Sequence, residues 1–176
     1  METRVYPAFG FVIQRNWLSA GEIYNDKNIK DGVITLTGVA PDGAALIDDK
    51  KFVWVVAKGE HRYLNLDTGI VHDLPQGWCN LNDPLTAGRQ QLTVVQDSEH
   101  VCVASEINNG EMPNLTYVRM LSGQSREFPQ GTKLYVLEGE LQVGAVVFPA
   151  MRQVNFSSGA KTATANTEVL ALIFGD

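Results

Sequence analysis

The sequence has little of what catalytic and recognition sites are usually built from. Of its 176 residues, three are histidine (His61, His72 and His100) and two are cysteine (Cys79 and Cys102). Two thiols are too few for a disulfide scaffold, and they read as buried, reduced side chains. Charge is sparse too: 19% of residues are charged, and the net charge of -6 is spread along the chain instead of being blocked into a tail. No basic groove for phosphates is present, which excludes nucleic acid as an expected partner. No run reaches 18 apolar residues, so no membrane-spanning helix is expected. The opening METRVYPAFGF lacks the basic head and long apolar run of a secretory signal. The expected location is therefore cytoplasmic, or a virion if the chain is phage-encoded. Helical periodicity is missing as well. The best helical window, 83–92, is short and holds Pro and Gly.

What the chain does have is strand chemistry. Apolar residues make up 44%, and there are 16 glycines and 7 prolines. Short β-branched and aromatic runs recur about every ten residues between turn signals. Residues 4–14 read as a strand broken at Pro7 and Gly10, and 16–31 as a loop. GVITLTGV at 32–39 alternates cleanly, and PDG at 41–43 is a turn. FVWVVAK and HRYLNL read as two arms of a hairpin about KGE, followed by a DTG turn and the short strand IVHDL. Residues 75–91 read as a long loop. QLTVVQD and HVCVASE form a further strand pair. Then come LTYVRML, TKLYVLEGELQVG, AVVFPAM, QVNFSSG and EVLALIF. This rhythm predicts an all-β antiparallel barrel or sandwich of jelly-roll type, with no evident internal repeat. Residues 1–30 are set apart as an N-terminal arm, and 31–176 as the barrel domain.

Within 115–174, the turn SGQSREFPQG, the stretch KLYVLEGELQVG and the segment AVVFPAMRQVNFSSGAKTATANTEVLALIF resemble the cupin family. The resemblance implies a double-stranded β-helix, a small barrel made of two antiparallel sheets. In KLYVLEGELQV, Leu134, Val136 and Glu138 share one face and Tyr135, Leu137 and Gly139 the other. The stretch reads as a hairpin, and Gly139 sits where its corner needs a relaxed backbone. The family's first motif carries two alternate histidines and a glutamate as metal ligands. Set between Gly123 and Gly139, its histidine positions fall on Pro129 and Gly131 and its glutamate near Thr132. The last ligand position falls near Lys161. None of these side chains is a good ligand at neutral pH, so no metal and no cofactor is expected there.

Other groups have some chemical potential. His100 and Cys102 share a strand face, with Glu106 four residues beyond, and are the metal candidates of a relocated site. The plain alternative is an edge histidine beside an ordinary buried cysteine. His61 and His72, near Asp67 and Asp73, read as a surface arrangement beside turns and not as an acid–base pair. Ser98, Glu99 and His100 are adjacent, but strand neighbours point apart. GAKT at 159–162 lacks the loop and helix of a phosphate site and reads as a turn. Trp17, Trp78, Arg126, Glu127 and Lys161 are the ligand or interface candidates, and no residue is assigned a catalytic role.

The resulting expectation is a non-enzymatic cupin-like barrel that binds or assembles, with a phage or virion accessory role offered by fold analogy alone. It would form a homo-oligomer, a dimer first, and take a protein partner or a small polar ligand. Two rivals stand beside it. One is a small-molecule-binding or metal-dependent enzyme with a relocated site around His100, Cys102 and Glu106, with His61 as a further member. The other is a carbohydrate- or receptor-binding module using Trp17 and Trp78 as stacking platforms.

Overall fold

A computed structural model describes residues 2–25, 52–82, 90–105 and 111–175. The alternating stretch at 32–39, the turn at 41–43 and Glu106 lie outside the described residues. The chain divides into two compact units, Met1–Met112 and Pro113–Asp176. Every regular element among the described residues is a strand.

In the first unit the strands are β1 (Glu2–Ala8), β2 (Phe11–Leu18), β3 (Ile23–Asn25), β4 (Phe52–Lys58), β5 (His61–Asn65), β6 (Val71–Leu74), β7 (Cys79–Asn82), β8 (Gln90–Val94) and β9 (Ser98–Ser105). They form two antiparallel sheets, in the orders β1-β2-β9-β4-β7 and β3-β8-β5-β6. The second unit contains β10 (Asn114–Met120), β11 (Ser125–Phe128), β12 (Lys133–Glu138), β13 (Leu141–Val143), β14 (Val146–Phe148), β15 (Gln153–Asn155), β16 (Lys161–Ala165) and β17 (Val169–Gly175). Their sheet orders are β10-β17-β12-β15 and β11-β16-β13-β14. Each strand from β2 to β9 thus has its counterpart eight strands later, with the same neighbours. The sequence shows no evident repeat, yet the topology repeats, and among the described residues β1 is the one addition.

The segment 1–30, set apart as an arm by its sequence, is partly sheet. Phe9 and Gly10, both with positive φ, turn β1 back onto β2, and β2 pairs along its whole length with β9. Pro7 is tolerated because β1 is an edge strand. β7 lies within the stretch read as loop, and β16 begins at Lys161 inside the GAKT turn.

The larger correction concerns pairing. β4 and β5 read as a hairpin, as do β8 and β9, and LYVLEGELQV reads the same way. None of them is one. β4 pairs with β7 and β9, whereas β5 pairs with β6 and β8. β12 pairs with β15 and β17, and β13 with β14 and β16. Gly59 and Gly139 are corners at which the chain leaves one sheet for the other. Both have positive φ, and each follows a register shift, at Val56/Lys58 and Val136/Glu138. A Cβ on Gly139 would stand 2.0 Å from the Glu168 carbonyl oxygen. One on Gly59 would stand 2.8 Å from the Asp97 carbonyl oxygen and 2.6 Å from the Ser98 Cβ.

The interior of the second unit is apolar. Val118, Met120, Phe128, Leu134, Val136, Leu141, Val154, Phe156, Ala163, Ala165, Val169 and Ala171 form one buried cluster. Phe128 and Phe156 stack in it, with ring centroids 5.2 Å apart. Leu134 and Val136 face this core, and Tyr135 and Leu137 on the opposite face are buried too.

The corner geometry predicts a graded response to alanine. Gly139→Ala combines left-handed strain with a backbone clash and is expected to cost at least about 2 kcal/mol. Gly144→Ala has positive φ but nothing within 4 Å, and should cost about 1 kcal/mol. Urea unfolding of the two variants measures the difference, and equal costs would contradict the corner.

Candidate functional site

The interior of the first unit is filled differently. Its apolar cluster is Phe52, Trp54, Val56, Leu74, Leu92, Cys102 and Ala104, with Tyr63 and Trp78 packed against it. Polar side chains share this face. Cross-strand partners in an antiparallel sheet point the same way, and the register sets Gln14 opposite Cys102 opposite Trp54, and Asn16 opposite His100 opposite Val56. Gln14, Asn16 and His100 are therefore inward-facing, and each is at most 1% exposed. Gln14 donates through Nε2 to Asn16 Oδ1 at 3.1 Å. From the opposite sheet, His61 at the start of β5 meets His100, with ring centroids 5.5 Å apart. Trp54 packs edge-on to His100 at 4.6 Å and to Trp78 at 5.1 Å.

Both ring nitrogens of His61 and of His100, and the Trp54 Nε1, are buried without a hydrogen-bond partner. Burial lowers the His61 pKa to about 4. His100 falls well below its ordinary value, first by burial and then by the nearby His61. Both imidazoles are thus neutral at pH 7, each with one donor and one acceptor nitrogen. Burial also pushes the Cys102 thiol strongly up, so it is a neutral thiol and a poor nucleophile.

The repeat gives this cluster its meaning. Equivalent positions in the second unit hold Leu141 for His61, Ala171 for His100, Ile173 for Cys102, Leu134 for Trp54 and Val118 for Asn16. Thr116, exposed, stands for Gln14. The same barrel can be closed with aliphatic side chains, so the polar filling of the first unit is not a requirement of the fold.

Charged groups of these strands lie on the other face. Arg15 donates from Nε to Glu99 Oε1 at 2.5 Å and from Nη2 to Oε2 at 3.0 Å, and both residues are buried. Trp17 lies under the guanidinium groups of Arg15 and Arg4, at 5.0 and 5.7 Å. It is half-buried in this stack, not a free platform.

The metal candidates His100 and Cys102 share the inner face of β9. His100 is not an edge residue, since β9 is the middle strand of its sheet. His61, read as a surface group beside a turn, is fully buried because it directly follows the Gly59 corner. His72 on β6 is exposed and faces Tyr63, and Asp73 is bound by Arg62, so no acid–base pair forms there. Arg126, Glu127 and Lys161 are exposed on β11 and β16, with Arg126 over the Phe128 ring at 5.4 Å. Arg126 and Glu127 are neighbours on β11 and alternate to opposite faces. Among the described residues no group of three or more His, Cys, Asp or Glu side chains is close enough to share a metal.

What sequence reasoning missed is the burial of His61. A signal was available: superposing the corner glycine of VWVVAKGEH on that of KLYVLEGEL sets His61 on Leu141, an apolar position.

No protein-family model matches the chain, and no curated protein sequence does. Solved structures do. The chain is similar to YhaK from Escherichia coli at 12% identity, covering 93% of this chain and 83% of that one, with a TM-score of 0.53. A conserved protein of unknown function from Pseudomonas aeruginosa, PA5104, matches at 10% identity, 94% and 80% coverage, and a TM-score of 0.53. The bacterial pirin YhhW from Escherichia coli, in complex with nickel(II), matches at 11% identity, 93% and 80% coverage, and a TM-score of 0.50. At such identities the likeness establishes the fold alone: all-β, antiparallel, of the cupin-like barrel type. No helix of the described residues is long and apolar enough to cross a membrane.

The buried imidazoles make the protein acid-sensitive. The unfolded chain takes up a proton at His61 near pH 6.5, the folded chain only near pH 4. Stability is therefore complete above pH 6.5 and falls as pH drops through this window, by about 3 kcal/mol for His61. Chemical denaturation between pH 7.5 and 4 in chelator-containing buffer measures the slope. His61→Leu should flatten it, and an unchanged slope would show that this histidine does not cause the acid sensitivity.

Proposed function

We propose that the protein is a cupin-like binding and assembly module, not a catalyst, and that recognition resides in the first unit. The observation that carries this is the contrast between equivalent interior positions. Each buried polar group without a partner costs about 1–3 kcal/mol, and the second unit shows an apolar solution to the same packing problem. Donors held at that cost are groups kept for a guest. The Cys102 thiol on the inner face is held neutral by burial, and no charged acid or base accompanies it there among the described residues, which supports binding over turnover. Fold likeness to proteins of such different description lends no activity of its own.

Assembly is the second half of the reading. β14 is an edge strand of its sheet, and its Val146 and Val147 are 53% and 45% exposed. An apolar edge of this kind favours pairing with a second copy.

Binding is tested by thermal unfolding of the full chain, with chelator present, against uncharged sugars, amides and azoles. A member of that panel should raise the melting temperature by about 5 °C. The response should vanish in His61→Leu/His100→Ala, which copies the second unit's residues. A response of equal size in that variant would place binding elsewhere. Light scattering tests assembly: a dimer is expected, with Val147→Lys shifting it toward monomer, and a strict monomer at high concentration would remove this half.

A further inference from the structure

We infer that the first unit is an acid-operated barrel: charging the imidazoles of His61 and His100, which meet across its interior from opposite sheets, opens this unit while the second stays closed. His61 belongs to the sheet β3-β8-β5-β6 and His100 to the sheet β1-β2-β9-β4-β7, and their rings meet edge-on with centroids 5.5 Å apart. The pair is thus a direct contact between the two layers. Among the described residues no third His, Cys, Asp or Glu joins it to make a metal site. The device uses the same histidines as the binding reading but needs no guest, so either can fail without the other.

This contact is a poor place for a charge. Both residues are at most 1% exposed, and none of the four ring nitrogens has a hydrogen-bond partner. A protonated imidazole carries two N–H donors, and this packing gives neither an acceptor. Trp54 closes one side of His100 at 4.6 Å, and the surrounding cluster is apolar. Charging both rings adds like-charge repulsion across the layers. Separating the sheets and admitting water relieves both penalties.

No counter-charge faces the pair among the described residues. Cys102 on β9 and Tyr63 on β5 are the titratable groups beside it on the inner face. Burial raises the pKa of both, helped at Tyr63 by Asp67, so both stay uncharged in acid. The described inner side chains of β2, β4 and β8 do not titrate. Arg15 and Glu99 bind each other on the outer face, and Glu60 and Asp73 act on Arg62. His72 on β6 is exposed and faces Tyr63.

The direction of the effect follows from proton uptake. Burial holds the His61 pKa at about 4 in the closed unit, and that of His100 also lies well below its ordinary value. An opened unit takes up both protons near pH 6.5. Below that value each further step of one pH unit favours the open form by about tenfold per histidine, and so by about a hundredfold for the pair. The second unit has Leu141 and Ala171 at the equivalent positions and an apolar interior, so acid has no such lever there.

All three tryptophans, Trp17, Trp54 and Trp78, belong to the first unit, so their emission reports on it alone. The full chain, without ligand, is brought from pH 7.5 to 4 and back. Tryptophan emission should shift reversibly to the red. Amide protection in β4, β5 and β9, corrected for the intrinsic pH dependence of exchange, should fall by about tenfold or more, while β12, β13 and β17 keep theirs. Imidazole resonances of the unaltered protein should show His61 and His100 taking up protons over the same pH range. His61→Leu alone should make the transition shallower, His61→Leu/His100→Ala should abolish it, and His72→Ala should leave it unchanged. Simultaneous loss of protection in both units overturns the inference, as does the absence of any opening down to pH 4. So does a transition that survives the double variant, as breaking of the Arg15–Glu99 pair would give. If the double variant does not fold, proton uptake and opening in the unaltered chain decide: opening that does not coincide with uptake by these two histidines overturns it.

Discussion

The architecture of each unit depends on one constraint, the crossing of the chain from sheet to sheet over a glycine. At Gly59 and Gly139 the backbone runs so close to the strand end across from it that a Cβ would overlap carbonyl oxygen or neighbouring side chain. The crossing sends β4 and β5, or β12 and β13, into different sheets, which makes two packed layers out of what would otherwise be a flat meander. The corner also sets the direction of the next strand's side chains. Two residues after the glycine, the first strand residue points inward, and that residue is His61 in one unit and Leu141 in the other. A polar interior and an apolar one are thus built on the same corner.

The two faces of β9 then divide the electrostatics of the first unit. One face carries the Glu99 carboxylate, matched by Arg15 through two parallel hydrogen bonds. That geometry satisfies both partners of a buried pair, and breaking it from one side would leave an uncompensated charge. The other face carries His100 and Cys102, which burial holds neutral. Formal charge is fully paired where it occurs on β9, and the inner face is left with uncharged donors and acceptors. This separation is why the histidines can stay buried at neutral pH. An unpaired carboxylate on their own face would shift one of them toward the charged form.

Strands were legible in the sequence, and their pairing was not, for a physical reason. Alternation in FVWVVAK or LYVLEGELQV reports which side chains share a face, but the ladder partner is set by contacts remote along the chain. A glycine between two strands serves a tight hairpin and a sheet-to-sheet corner equally well, since both need positive φ. What separates them is the Asp97 or Glu168 carbonyl lying 29 or more residues away in the chain, which no local window contains. His61 was misplaced by the same blindness. Flanked by Glu60 and Arg62, it has the local composition of a surface turn. β7 and β16 were missed because polar residues such as Asn80, Asn82, Lys161 and Thr162 weaken their strand signal. The cupin-like resemblance was read only in the second unit, where the interior is conventionally apolar. The first unit has the same strand neighbours but hides them behind a polar core.

Two copies of one topology with different fillings allow cost and use to be separated within a single chain. The second unit has the composition of a barrel optimised for closure, with aliphatic and aromatic groups and a stacked phenylalanine pair. The first accepts unsatisfied ring nitrogens at its centre, a loss that packing alone does not explain because the other unit avoids it. Buried polar groups that lack partners are tolerated where a guest supplies them. The binding role proposed above therefore rests on the pair His61 and His100, and not on the Pro129, Gly131 and Thr132 positions to which a family pattern would have directed the search.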